Sequence, residues 1–202
     1  IAKTTPQVLV DFTNAAGCLA SARSAAHAKI SLVSGSTGLS EMNLIKIAQM
    51  FDEANIGAIL VPNFALGAVL LTRLAAIAAP YFEYADVTEI HHEAKLDAPS
   101  GTALSITKAL AEANRNFKRP SPEHESLPGT RGGEFQGITI HSSRMPGRLA
   151  HHEVTFGIQG QTLSLRHDTI NRESFMPGVM LAIRSVTSRK GLIIGLDKVM
   201  GI

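Results

Sequence analysis

The sequence predicts an α/β protein in two parts: a parallel sheet layered with helices, then an α+β domain on a mixed, open sheet. Three observations predict it. Short apolar runs at residues 8–12, 30–34 and 57–61 alternate with helix-like stretches, the rhythm of parallel strands joined by right-handed crossovers. From Ile138 onward, apolar residues alternate with polar ones, as in strands with one buried face. The 202 residues are 45% hydrophobic and 18% charged, enough to enclose a core of ordinary globular composition.

Each element follows from its residues. Residues 8–12 (VLVDF) suit a strand buried on both faces. Residues 15–27 are Ala-rich and helix-like, and residues 30–34 form the next strand. Gly35-Ser36-Thr37-Gly38 is a tight turn, and Ser40 is the N-cap of a helix carrying Leu44, Ile47, Ala48 and Phe51 on one face. Residues 57–61 are the third strand. Residues 65–79, apolar on nearly every side, suit a helix buried between two layers. Residues 84–90 read as a strand, Ser100 or Thr102 caps a helix running to about Ala113, and residues 116–133, rich in Pro, Gly and charge, form a long surface loop. Ile138 and Ile140, then Val154, Phe156 and Ile158, then Leu163 and Leu165 mark alternating strands, with a hairpin turn at Gln159-Gly160. A last helix starts near Ser174, tolerates Pro177 in its first turn, and presents Phe175, Val179, Ile183 and Val186 on one face.

Composition excludes several classes. A net charge of +2 without a Lys/Arg run gives no electrostatic footprint for nucleic acid. The single cysteine, Cys18, excludes an internal disulfide, fits a small buried hydrophobe, and points to a reducing, cytoplasmic setting. The uncharged run at residues 57–72 is broken by Pro62-Asn63 and ended by Arg73, short of the roughly 20 apolar residues a membrane helix needs. No signal peptide is visible, and the start at Ile1 without a methionine reads as a truncation. Strands with one exposed apolar face favour pairing between subunits, hence a homo-oligomer.

The chemistry concentrates in residues 89–103, EIHHEAKLDAPSGTA, which begin at the end of a strand, where α/β ligand sites lie. His91, His92 and Lys95 place three proton donors within five residues, and imidazole exchanges protons near neutrality. Pro99-Ser100-Gly101-Thr102 opens a helix whose first N–H groups bind anions, with a dipole contribution of ~0.3–1 kcal/mol. Gly101 allows close backbone approach. An exposed ion pair contributes at most about 1 kcal/mol, so a small dianion needs several convergent donors, and this loop offers them. A second reading, a metal-dependent hydrolase, takes its motive from His91-His92-Glu93 and His151-His152-Glu153. Neighbours on a strand point to opposite faces, so each pair offers one ligand at best, and no metal is expected. His151 and His152 read as loop or interface residues before a strand.

The same segment resembles the signature of the dihydrodipicolinate reductase family of bacterial lysine biosynthesis, and the likeness extends along nearly the whole chain. Asp11-Phe12-Thr13, Gly35-Ser36-Thr37-Gly38, and Pro62-Asn63-Phe64 with Gly67 resemble its cofactor-domain segments. Arg166-His167-Asp168, Arg172, Phe175 and Pro177-Gly178 resemble the stretch where its substrate domain closes, in a form most similar to the cyanobacterial branch. The resemblance implies a partial Rossmann-type domain over residues 1–64, a substrate-binding and oligomerisation domain over residues 65–180, and a segment at 181–202 returning to the cofactor domain. It implies His91 as the acid–base residue, Lys95 as a proton donor, His92 as a substrate contact, and Gly101 and Thr102 as a carboxylate site. NADPH or NADH would meet Gly35, Ser36, Thr37, Val61, Pro62, Asn63 and Phe64. The substrate would be a small dicarboxylate and the assembly a homotetramer, with neither nucleic acid nor membrane as partner. Against the family pattern Ser36 replaces Thr and Ala65 replaces Ser, both mild changes. The family's Gly-x-x-Gly-x-Met-Gly turn is absent from the 202 residues. Weak NAD(P)H binding is therefore expected, to be checked by fluorescence titration, and a non-catalytic oligomerising remnant is the alternative.

Overall fold

The structure, a computed structural model, describes residues 4–202. Ile1, Ala2 and Lys3, where the sequence reading expects a truncated start, lie outside the described residues. In chain order the elements are β1 (Val8–Asp11), α1 (Ala15–His27), β2 (Ser31–Ser34), α2 (Glu41–Ala54), β3 (Gly57–Leu60), α3 (Leu66–Ala78), β4 (Tyr84–His91), α4 (Gly101–Ala113), β5 (Gly133–Phe135), β6 (Ile138–Arg144), β7 (Ala150–Ile158), β8 (Gln161–Thr169), α5 (Met176–Val186), β9 (Gly191–Ile194) and α6 (Leu196–Met200). They form two compact units, one of residues 4–66 with 173–202 and one of residues 67–172.

The first unit is a four-stranded parallel sheet in the order β1-β2-β3-β9. Its inner strands β2 and β3 are buried at every position, as strands covered by helices on both faces are. Asn14 caps α1 by accepting from the Gly17 N–H, and Ser40 caps α2 by accepting from Asn43. Ile47 and Phe51 on α2 pack with Cys18, Ala22 and Leu32 in one cluster. Ser174 falls in a 3-10 turn, Arg172–Phe175, so the last long helix starts at Met176 rather than at Ser174.

The second unit is a five-stranded mixed sheet in the order β5-β6-β4-β7-β8. β4 pairs parallel with β6 and antiparallel with β7. Val87, Ile138, Val154 and Phe156 from the sheet, Leu71 and Ala75 from α3, and Ile106 and Leu110 from α4 make one core. The rings of Phe82 and Phe117 stack against Phe156. The apolar residues 65–79 predict a helix buried between two layers, and the structure differs. α3 is not buried all round: Ala68, Leu71 and Ala75 face inward, while Leu70, Leu74 and Ile77 are 40%, 50% and 65% exposed. Within its unit the helix packs on a single layer, so only one stripe is covered. Among the described residues, no helix is long and apolar enough to cross a membrane.

Candidate active site

The site grows from the period of β4. Ala85, Val87, Glu89 and His91 alternate inward along the strand, so its last turns place a carboxylate and an imidazole where Ala85 and Val87 place apolar groups. Glu89 is fully buried, and an isolated buried carboxylate is strongly disfavoured. Here it is saturated with donors. Arg144, the β6 partner of His91 in the register, donates Nη1 to Oε2 at 2.9 Å and Nη2 to Oε1 at 2.8 Å. The backbone N–H of Ser100 donates to Oε1 at 3.2 Å, and Nδ1 of His91 bonds Oε2. One carboxylate therefore joins strand, neighbouring strand and the start of α4.

The loop between β4 and α4 is folded back onto this group. Arg144 Nη2 also donates to the Asp97 carbonyl at 2.5 Å, and Lys95 Nζ donates to the Asp97 carboxylate at 2.7 Å. The Ala98–Pro99 peptide is cis. Ser100, not Thr102, is the cap of α4: its Oγ accepts from the Ala103 N–H at 3.1 Å. Gly101 and Thr102 form the first turn, and a Cβ built on Gly101 would meet nothing within 4 Å. The fold does not require glycine there, and glycine weakens a helix by about 1 kcal/mol against alanine. The open space above it is what a close-approaching anion would use. His92, half-buried, lies just beyond the strand end.

His152 is placed differently from the sequence reading. It lies within β7, directly opposite Glu89 in the register, and is buried. Its ring meets that of His91 edge-on at 5.3 Å, and its Nε2 lies 3.2 Å from Ser100 Oγ. His151, one residue earlier, points to the other face and bonds Asp168 at 2.5 Å. The alternation of a strand separates the two histidines, as expected, but the loop assignment fails because β7 begins at Ala150. Among the described residues, no group of three or more His, Cys, Asp or Glu side chains is arranged to hold a metal ion.

The electrostatics follow from these contacts. Burial opposes ionisation of Glu89, but hydrogen bonds from Arg144, Ser142 and His91 prevail and hold its carboxyl below the ordinary value. Burial lowers His91, Glu89 opposes the shift, and the charges of Lys95 and Arg144 reinforce it, so the imidazole is neutral at pH 7. Burial, then the proximity of His91, pushes His152 down to about 4. The Asp97 carboxyl is lowered by its hydrogen bond from Lys95.

The first unit carries the segments expected to meet a nicotinamide cofactor. Gly35-Ser36-Thr37-Gly38 and Val61-Pro62-Asn63-Phe64 follow the carboxyl ends of the paired strands β2 and β3, tied by the Val61 N–H to the Ser34 carbonyl at 2.9 Å. A Cβ on Gly35 would meet the Phe12 ring at 2.3 Å, so glycine lets that ring lie against the turn, where it packs on Phe64. Gly38 adopts φ +81 with open space above it. Ser36 donates to Asp11 at 2.6 Å and accepts from the Thr13 N–H at 2.9 Å, and Asp11 also takes bonds from Ser34 and Thr13, each at 2.7 Å. Burial disfavours the Asp11 carboxylate, yet the hydroxyls of Ser36, Ser34, Thr13 and Ser21 together hold its pKa below the ordinary value. Val61 and Phe64 are buried and Asn63 caps the turn by accepting from the Ala65 N–H, while Thr37 and Pro62 are exposed. The two segments therefore offer a ligand mainly backbone and exposed Thr37 and Pro62. That surface lies at the carboxyl edge of a parallel sheet, where open α/β sheets bind ligands.

Comparison with known proteins bears on both units. Residues 1–64 match the family model described as dihydrodipicolinate reductase, N-terminus, and residues 67–200 match dihydrodipicolinate reductase, C-terminus. The chain belongs to the dihydrodipicolinate reductase family. It is 46% identical over 200 residues to the 4-hydroxy-tetrahydrodipicolinate reductase of Moorella thermoacetica, covering 99% of this chain and 75% of the relative. The reductase of that name from Mastigocladus laminosus is 45% identical over 197 residues, with 96% and 71% covered. Identities this close do not separate one branch of the family from another. Among solved structures, the dipicolinate-bound dihydrodipicolinate reductase from Paenisporosarcina sp. TG-14 superposes with a TM-score of 0.90 at 39% identity, covering 98% of this chain and 75% of that one. An amine dehydrogenase from Mycobacterium smegmatis, at 14% identity, 97% and 76% coverage and a TM-score of 0.57, shares the fold alone.

Glu89 and Arg144 carry no role that the sequence alone predicts, and His152 is expected outside the site. A signal existed for Glu89: it keeps the inward phase of Val87. None existed for Arg144, whose place depends on a pairing between strands separated by a long loop.

Proposed function

We propose that this chain carries the chemistry named for its relatives: NAD(P)H-dependent reduction of 4-hydroxy-tetrahydrodipicolinate to tetrahydrodipicolinate with loss of water, in lysine and diaminopimelate biosynthesis. The observation that carries the reading is the double grip of Glu89 on the His91 imidazole and the Ser100 N–H. It sets a proton-exchanging group beside a helix start with open space above Gly101, the pairing that protonation of a bound dicarboxylate requires. Reduced nicotinamide, when bound along residues 35–37 and 61–64, supplies the hydride. Departure of the substrate hydroxyl as water consumes one proton. Lys95, whose Nζ donates to the Asp97 carboxylate, is its donor, and neutral His91 exchanges protons with the ring. His92 contacts the substrate, and Gly101 and Thr102 hold one carboxylate at the helix start.

The same proposal takes the chain to be a cytoplasmic homotetramer. The support is β8, a nine-residue edge strand with Leu163 exposed, which invites pairing with another copy. Light scattering that returns the mass of one chain at micromolar concentration would remove this part. For the chemistry, His91→Ala and Lys95→Ala should each lower turnover by about 10²–10⁴-fold while leaving thermal melting and dipicolinate binding close to wild type. Wild-type turnover in both variants would sink the assignment.

A further inference from the structure

We propose that Glu89, clamped by Arg144, is the positioning residue for His91: it fixes the imidazole as the Nδ1–H tautomer and leaves Nε2 as the atom that exchanges protons. The inference rests on the acid–base reading of His91 above. Glu89 and His91 stand two residues apart on the inward face of one strand, so the backbone itself sets their spacing. Arg144 and the Ser100 N–H can only donate. A carboxylate that receives all of them, with no exposure to solvent, has no room for a proton of its own. An ionised carboxylate offers only lone pairs, so the His91 nitrogen that bonds it must carry hydrogen. Nε2 is then bare and free to accept.

The groups around the ring give Glu89 a second effect. Lys95 on the loop and Arg144 on β6 both disfavour a positive charge on His91. His152 on β7, edge-on to the ring, is itself neutral. Glu89 alone favours the imidazolium. It therefore does for His91 what a carboxylate does for a metal- or serine-linked histidine, orienting the ring and stabilising the charge that forms on it. Arg144 keeps that carboxylate from taking the proton itself.

Glu89→Gln tests this sharply because it changes shape little and donors greatly. Gln has one oxygen; placed where Oε1 stands it keeps two donors, Arg144 Nη2 and the Ser100 N–H, and so turns the amide NH₂ to His91 and Arg144 Nη1. Nδ1 then becomes the acceptor and the tautomer inverts to Nε2–H. With ¹⁵N-labelled histidine in the whole chain, His91 should be Nδ1–H in wild type and in Glu89→Asp, and Nε2–H in Glu89→Gln. The reductase assay should show kcat of Glu89→Gln down by at least about tenfold with KM within about threefold. Its acid limb should move to lower pH, and Glu89→Asp should restore the wild-type limb. The wild-type tautomer is read on the unaltered chain, so a variant that folds poorly leaves the test intact. Nε2–H in wild type, or an unchanged tautomer and pH profile in Glu89→Gln, overturns the proposal. If His91→Ala keeps full turnover, the acid–base reading fails instead, and the tautomer result still decides the positioning claim.

Discussion

Replacing Arg144 by Leu should destabilise the second unit and change how its stability depends on pH. The guanidinium makes two charge-assisted bonds to Glu89 at 2.8 and 2.9 Å and two more to the carbonyls of Asp97 and Ser143 at 2.5 and 2.7 Å. Removing one partner of a buried pair costs about 3–5 kcal/mol. The Arg144 side chain is 19% exposed against 0% for Glu89, so the low end, about 3 kcal/mol, applies. At about 4 °C per kcal/mol for a unit of this size, the melting point falls by ~12 °C. Both tyrosines, Tyr81 and Tyr84, lie in this unit and the chain has no tryptophan, so tyrosine fluorescence follows its unfolding alone. The pH dependence gives the sharper check. In wild type the folded pKa of Glu89 lies below the ordinary 4.5, so its contribution is complete above that value and is lost as pH falls through the lower, folded value. Without Arg144, burial is opposed only by the hydrogen bonds of Ser142, His91 and the Ser100 N–H, and the folded pKa is expected to rise above the unfolded one. The variant then gains stability as Glu89 takes up a proton, and the gap to wild type narrows between pH 7 and pH 5. A loss below about 1 kcal/mol, or a gap constant over that range, would refute the account of Glu89 as a buried carboxylate held ionised by Arg144.

Gly101→Ala should stabilise the chain by ~0.4–1 kcal/mol, because the added Cβ meets nothing and alanine suits a helix, while weakening dipicolinate binding by about tenfold if an anion sits over that turn. Calorimetric titration showing undiminished affinity would count against the carboxylate site. Asp11→Asn should cost ~1.5–3 kcal/mol, since several hydroxyls lose their charged acceptor, read as faster hydrogen exchange of β1 and β2 amides; unchanged protection would rule out the hub. His152 should remain neutral down to about pH 4. Because its folded pKa lies below the ordinary 6.5, its contribution is complete above 6.5 and declines as pH falls towards 4. An NMR titration with a midpoint near 6.5 would contradict its burial against His91.

Much of this could be read from residues alone because the signals are local. The strands at residues 8–12, 30–34 and 57–61, the caps at Ser40 and Ser100, and the inward phase of Val154 and Phe156 all depend on neighbours within a few positions. What failed depends on distant partners. α3 reads as fully buried because Leu70, Leu74 and Ile77 are apolar, yet exposure is decided by what packs on each side, and only one side is covered within its unit. His152 reads as a loop residue because its strand begins only two residues before it, after the turn-forming Pro146-Gly147. Arg144 is 55 residues from Glu89 in sequence, and a parallel pairing across a long loop leaves no periodic trace.

The two units share a physical device that explains why the groups proposed to face a ligand are legible and their organisers are not. Each has an inward carboxylate near the carboxyl end of a strand, Asp11 on β1 and Glu89 on β4, and each collects donors from neighbouring segments. Asp11 fixes Ser36 and thereby the turn at residues 35–38; Glu89 fixes His91, Ser100 and, through Arg144, the loop at Asp97. A buried charge breaks the local rule for a core position, and such breaks gather where a structure must hold a ligand-binding loop in one arrangement. The cost of burying the carboxylate is offset only when all its donors are in place, so the loop is either assembled or strongly disfavoured. Exposed Thr37 and Pro62 can therefore vary with little effect on stability, whereas Asp11 and Glu89, which need touch no ligand, cannot.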